Sequence, residues 1–346
     1  MKCFQKIFVG AALVLCSSAC FCSCSGGISV QNNGETQISV CTWNLQTFFD
    51  GKKDGCEYKE FQKSSNWNNE AYKVRLERLC QFISETSADI YIFEELENKE
   101  IIYDISNQLA GAGYNWNQKK FWNYSAFAKQ EGTAIGIGIL SRFPIENVKT
   151  HFMDIRIHKT TQPSTRYLIE AEVNIEKKKL VIFANHWKSK SGGEEETEIW
   201  RDWQESILAK RLTKLLYDDT TCQPGILICG DFNRDAQDFI CDFEQDSANT
   251  ILRCAACGYT DFVAVDSLWF TEDGNFVLPT GSYRYKNQWE RIDNIMLAGK
   301  VKAESFTPVS SEPLASQQGY PVSYKTYNGS GWSDHLPLLA KIILIE

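Results

Sequence analysis

Six short apolar runs in this chain each open or close on polar side chains able to do chemistry. Asn44 follows ISVCTW, Glu94 and Glu95 follow DIYIF, and His186 follows LVIFAN. Asp231 and Asn233 follow ILICG, Asp293 opens NIML, and Asp334 with His335 opens LPLL. Runs this short, rich in β-branched and aromatic residues, read as buried strands. Segments 70–86 and 194–216 carry helical patterns, the second with acids first and bases last, as the helix dipole favours. Strands alternating with helices predict an α/β domain. Open α/β sheets bind ligands beyond strand ends, so polar residues there are candidate ligands. Each has an ordinary structural alternative. Asn44 caps a turn, Glu95 starts a helix, GDFN forms an Asx turn, and His186 is a satisfied core histidine. Taken together, the set offers hard oxygens and imidazole nitrogens but no thiol. That suits Mg²⁺, or Mn²⁺ or Ca²⁺ in its place, acting on a phosphate ester.

The apolar patterning begins at residue 37 and shows no internal repeat or second linker, so 37–346 reads as one domain. Before it lies a leader. Lys2 and Lys6 precede an apolar run from Ile7 to Leu15, then small residues and five cysteines counted from Cys3 to Cys24. This is the layout of an export signal, too short in its apolar part for a membrane span. The cysteine cluster predicts a lipoprotein-type signal over 1–24, lipidated at Cys20 after SSA, with Cys24 as the second choice. Residues 25–36 then form a polar, Gly-containing tether. The expected location is exported and membrane-anchored, facing the periplasm or the cell surface. Of the 13 cysteines, Cys254 and Cys257 form a CxxC with no second pair or nearby histidine to complete a zinc site.

A formal net charge of -8 excludes gripping nucleic acid by bulk charge, so a polyanionic substrate must meet a local basic patch or a metal. Lys188 and Lys190 in NHWKSKSGG are the candidate substrate-binding cations, with Arg284, Lys286 and Arg291 beyond them. Trp187, Tyr283, Tyr285 and Trp289 are candidates for stacking on bases.

WNLQ, DIYIFEEL, GIGILSRFPI, NHWKSKSGG, GDFN, RIDNIML and WSDHLPL occur in that order. In this the chain resembles the endonuclease/exonuclease/phosphatase superfamily, the DNase I-like fold. The resemblance implies a four-layered α/β sandwich, two mixed β-sheets packed face to face with flanking helices, and divalent-metal-dependent cleavage of phosphate esters. It implies that Glu95 binds metal, with Asn44 and Asp334 beside it. Asp231 would activate the attacking water and Asn233 would position it. His335, oriented by Asp293, would contact the phosphate, as would Arg166, and His186 matches a deoxyribonuclease-type histidine. Where the family commonly has Gln-Glu, this chain has Glu94-Glu95; the spacing from Asp89 selects Glu95. Adjacent side chains on an extended backbone point to opposite faces, so Asp334 and His335 can face metal and phosphate respectively.

Two enzyme readings follow: a nuclease on DNA or RNA, or an exported phosphodiesterase on a lipid (sphingomyelinase-like) or small phosphate ester. A non-catalytic surface binding protein is the third, disfavoured because no site position is lost. Nucleic acid is the expected partner, with the membrane reached through the lipid anchor. No protein partner is expected, and the chain is expected to be a monomer.

Overall fold

Tested against a computed structural model of the chain, the apolar runs fall in two sheets. The structure describes residues 34–111, 121–156, 161–217, 223–240, 250–254 and 262–346. The leader, Cys20 and Cys257 lie outside these residues.

In chain order the elements are β1 (Thr36–Phe48), α1 (Lys59–Lys63), α2 (Asn69–Thr86), β2 (Ile90–Leu96), α3 (Lys99–Gly111), β3 (Tyr124–Ala128), β4 (Gly136–Ser141) and β5 (Ile145–His151). Then come β6 (Leu168–Ile175), β7 (Lys178–His186), α4 (Glu194–Tyr217), β8 (Gly225–Asp231), β9 (Thr250–Arg253) and β10 (Phe262–Ser267). The last are β11 (Tyr283–Tyr285), β12 (Gln288–Glu290), β13 (Asp293–Gly299), β14 (Val301–Pro308) and β15 (Leu338–Leu344).

One sheet runs β14-β15-β1-β2-β4-β3 and the other β5-β6-β7-β8-β13-β10-β9, while β11 and β12 form a separate two-stranded sheet. Both large sheets are mixed, since β1 and β2 are parallel, as are β7 and β8, within otherwise antiparallel ladders. Alternation assigns the faces. Val40, Ile90, Ile92 and Ile139 of one sheet meet Ile169, Ile182, Leu227 and Ile295 of the other in the shared core. On the outer face of the first sheet, Trp43, Tyr91 and Phe93 pack against Leu76, Leu79 and Ile83 of α2 and Ile101 and Ile105 of α3. On the outer face of the second, Phe183 and Ile228 pack against Leu208 and Leu212 of α4. The result is helix, sheet, sheet, helix: the expected four-layered sandwich.

The first apolar run continues past Asn44 to Phe48, longer than the pattern predicts, because β1 carries a bulge between Asn44 and Phe48. The matching irregularity in β2 falls between Glu94 and Leu96. At the other end of the chain, β15 starts at Leu338, three residues beyond His335, so the Asp334–His335 pair sits in the connection entering the strand rather than in it. His335 is held there by an isolated antiparallel bridge to Tyr283. The described thiols Cys41, Cys80 and Cys229 are buried and Cys56 is exposed; Cys254 is buried too. Among the described residues, no helix is long and apolar enough to cross a membrane.

Candidate active site

Register places the acids. Asp231 closes β8, with His186 of β7 beside it on one side and Asp293 of β13 on the other. Three strand ends of one sheet therefore present three polar side chains in a row. The facing sheet contributes Asn44 and, through the β2 bulge, Glu95. Glu95 takes a left-handed φ of 66°, and Asn233 one of 48°. That region costs a non-glycine residue roughly 1–2 kcal/mol, less for Asn. Here the strain turns Glu95 out of the sheet, while Glu94 stays buried inside, accepting a hydrogen bond from Thr42 Oγ1 at 2.9 Å. The geometry thus separates the two adjacent glutamates as the Asp89 spacing predicts. Burial first, then Asp293, push the Glu94 pKa well above the usual carboxylate range, favouring its protonated form.

Asn44 Nδ2 donates to Asp231 Oδ2 at 3.0 Å and to Glu95 Oε1 at 3.3 Å. Its Oδ1 is taken by the Gln46 N–H at 2.9 Å. Asn44 therefore ties two carboxylates together, while its Oδ1 accepts one hydrogen bond from the backbone. Glu95 Oε2 accepts from the Thr47 N–H at 2.6 Å. Burial raises the Glu95 pKa; Arg166 opposes the shift and Asp334 adds to it. Asp231 is pushed up to about 7, chiefly by burial and then by Asp293, which suits a group that takes a proton near neutral pH. Its Oδ1 accepts from the Asn233 N–H at 2.8 Å, closing the Asx turn of GDFN. The turn reading of that motif holds, and it places Asp231 and Asn233 beside His186 and Asp293. Asn233 Nδ2 also donates to Trp187 O at 3.2 Å.

His335 Nδ1 lies 2.7 Å from Asp293 Oδ2, which also accepts from Ser282 Oγ at 2.6 Å. The Tyr283 ring covers the imidazole at 4.7 Å between centroids. Burial acts to lower the His335 pKa, but Asp293 outweighs it and lifts the group well above the ordinary histidine value. His335 Nε2 is 4.0 Å from the more exposed Asp334. Across the site, His186 Nε2 stands 3.6 Å from Asp231 and 3.8 Å from Glu95. Its Nδ1 is buried without a hydrogen-bond partner among the described residues. Burial, then Arg166 and His335, drive its pKa well below 6.5. Arg166 Nη1 donates to Trp187 O at 3.2 Å.

The two candidate substrate lysines are not free cations at the site. Lys190 bridges Glu194 at 2.7 Å and Glu290 at 3.1 Å. Lys188 folds its Nζ onto the carbonyls of Ser189 at 2.9 Å and Ser191 at 3.1 Å. Trp187 is buried edge-on against Phe232, and Arg291 lies over Phe276, so neither is available for stacking or phosphate contact. Tyr58, Ser282 and Thr47 belong to the site and escaped the sequence patterns. Tyr58 lies close enough to Glu95 and Arg166 to feel both. None of the three carries a charge or a motif that marks it.

Three buried acidic or imidazole groups, Asp231, Asp293 and His335, lie within metal-binding reach of one another. The Asp293–His335 hydrogen bond accounts for that closeness. The carboxylate oxygens and imidazole nitrogens around them fit a hard divalent ion. The sequence profile of the Endonuclease/Exonuclease/phosphatase family matches residues 39–343. The chain belongs to this family. It is accordingly a metal-dependent phosphoric ester hydrolase. No curated protein matches it by sequence. Solved structures do match in fold. Truncated Caenorhabditis elegans TDP2 aligns with a TM-score of 0.53 at 14% identity, over 90% of this chain and 98% of that one. The human Nocturnin catalytic domain with bound sulfate aligns with a TM-score of 0.52 at 16% identity, over 90% and 96%. An endonuclease/exonuclease/phosphatase from Bacteroides vulgatus gives 0.51 at 15%, over 89% and 99%. At these identities the likeness is one of fold.

Proposed function

We propose that this hydrolase is a Mg²⁺-dependent nuclease that cleaves phosphodiester bonds of DNA or RNA, held at a membrane by a lipid on Cys20. The convergence of Asp231, Asn233, His186 and the Asp293–His335 pair from one side, with Glu95 from the facing sheet, carries the reading. Glu95, with Asp334 beside it, would hold the divalent ion, which would supply positive charge toward the phosphoryl oxygens. Asp231, with its raised pKa, takes the proton from the attacking water, which the Asn233 amide positions. His335, kept cationic by Asp293, donates to a phosphoryl oxygen as negative charge develops there. Arg166 and neutral His186 flank the phosphate on the opposite side.

The preference for nucleic acid rests on the β11–β12 hairpin beside His335. Its two-residue turn, Lys286-Asn287, is left-handed at both positions, as tight hairpins require. It carries exposed Tyr285 with Lys286 Nζ 5.1 Å above the ring, and Arg284 stacked 3.5 Å over Tyr320. Trp289 lies 5.7 Å from Tyr320. Aromatic faces interleaved with cations suit stacked bases and their phosphates. These residues take the place of Lys188 and Lys190 as the candidate substrate cations.

The test is the purified mature chain on plasmid DNA, RNA, sphingomyelin vesicles and nitrophenyl phosphate, with Mg²⁺ and with EDTA. Cleavage of nucleic acid only, abolished by EDTA, is expected; faster turnover of sphingomyelin would replace the nuclease reading. Mass spectrometry of the native N-terminus should find an acylated Cys20.

A further inference from the structure

α2 buries Tyr72, Leu76, Leu79 and Ile83 at helical spacing, and Arg75 stands on the same stripe. Its side chain is 4% exposed and meets no carboxylate at hydrogen-bond distance among the described residues. Instead it collects carbonyls. Nη2 donates to Leu45 O at 2.6 Å and Gln46 O at 2.8 Å, and Nη1 to Thr47 O at 2.9 Å. A longer contact of 3.4 Å reaches Trp332 O. The guanidinium is sandwiched over Tyr324 at 3.8 Å and Phe48 at 4.6 Å. Desolvation pushes it down to about 9.

The carbonyls belong to the β1 bulge, where Gln46 and Thr47 are both left-handed, at φ 50° and 54°. Two consecutive non-glycine residues in that region need outside support. The bulge turns the Thr47 N–H onto Glu95 Oε2 and the Gln46 N–H onto Asn44 Oδ1, and Asn44 in turn holds Glu95 and Asp231. Trp332 lies two residues before Asp334.

We infer that Arg75 is a positioning residue for the metal corner: its planar fork locks the strained bulge that aims Glu95, and ties that bulge to the segment carrying Asp334. This rests on the reading that Glu95 binds a divalent ion. Lys cannot replace it, because one ammonium cannot span carbonyls on two segments or stack between two rings.

Mn²⁺ binding to the full chain, followed by the free-ion electron paramagnetic resonance signal, tests this without turnover. Arg75→Met should weaken Mn²⁺ binding by about 10-fold or more, the range for residues that orient metal ligands, with Arg75→Lys in between. Arg142→Met is the control, since Arg142 bridges Asp89 at 3.0 Å and covers Trp122 at the far end of β2. It should lower the melting temperature and leave Mn²⁺ affinity unchanged. Wild-type affinity in either Arg75 variant, or an equal loss in Arg142→Met, overturns the inference. Should Arg75→Met not fold, Arg75→Lys alone decides. Glu95→Ala separates the two readings. If it keeps wild-type Mn²⁺ affinity, the metal assignment itself fails; if it loses binding while the Arg75 variants keep it, only the positioning role fails.

Discussion

His335 and His186 flank the same carboxylate, Asp231, yet the protein pushes their pKa values in opposite directions. His335 has a carboxylate on Nδ1, a serine hydroxyl behind that carboxylate and a tyrosine ring over its face. His186 has an unpartnered Nδ1 and Arg166 nearby. Both are buried, so desolvation disfavours the cation at each. The partner on Nδ1 decides the outcome. One imidazole is favoured as the cation beside Asp293, and the other as the neutral form between Asp231 and Glu95. A second cation there would compete with a metal for the same oxygens.

The largest effect is expected at the group both corners share. Asp231→Ala should lower kcat by about 10³-fold, inside the range for removing a general base, with the chain still folded. Circular dichroism and single-turnover rates check this, and retained activity would leave the two histidines without a common function. Next comes the contrast itself. His335→Ala should cost on the order of 10²-fold or more in kcat, as a lost charge-stabilising donor does. His186→Ala removes only a neutral hydrogen-bonding group worth ~0.5–1.5 kcal/mol, about tenfold in rate at most. Equal losses in the two would erase the division between them.

Asp293→Asn sharpens it further. His335 must be protonated to work, and Asp293 is what raises its pKa, so activity falls as pH rises through that raised value. Without the negative charge the value drops, and the alkaline limb of the kcat–pH profile should move to lower pH. Because Asp293 also raises the Asp231 pKa, the acid limb should move to lower pH as well. An unmoved limb would mean that another group titrates there.

Much of this site was legible before any coordinates. Ionisable residues at the mouths of apolar runs had nowhere to go except a strand end, and Asp231, Asp293, His186 and His335 are there. Glu95 rather than Glu94 followed from the family resemblance, whose pattern its distance from Asp89 fits. What stayed hidden depends on pairing across the fold. Lys190 looks like a free cation until β12 brings Glu290 to it. That the Asn44 amide also joins Asp231 to Glu95 shows only once the bulge is in place. Trp187 looks available for stacking until Phe232 covers it. Arg75 did leave a trace, a lone arginine in an apolar helical stripe, but its four carbonyl partners come from distant segments.

The smallest effect concerns stability, where the two histidines should pull in opposite directions. A histidine whose folded pKa is depressed takes up its proton only in the unfolded chain as pH falls below ~6.5. For His186 the stabilising contribution is therefore fully present above that value and declines on the acid side. One proton bound only by the unfolded state gives a slope of up to about 1.4 kcal/mol per pH unit. For His335 the sign is reversed. Its folded pKa is raised, so its contribution is fully present below ~6.5 and declines as pH climbs toward the folded value. Urea unfolding of wild type and His186→Gln between pH 5 and 8 isolates the first effect, because common carboxylate titrations cancel in the difference. The variant should lose less stability than wild type on going from pH 6.5 to 5. His335→Gln should show its relative gain on the alkaline side. Parallel curves for both variants would mean that the two imidazoles share one charge state, and the asymmetry between the corners would be gone.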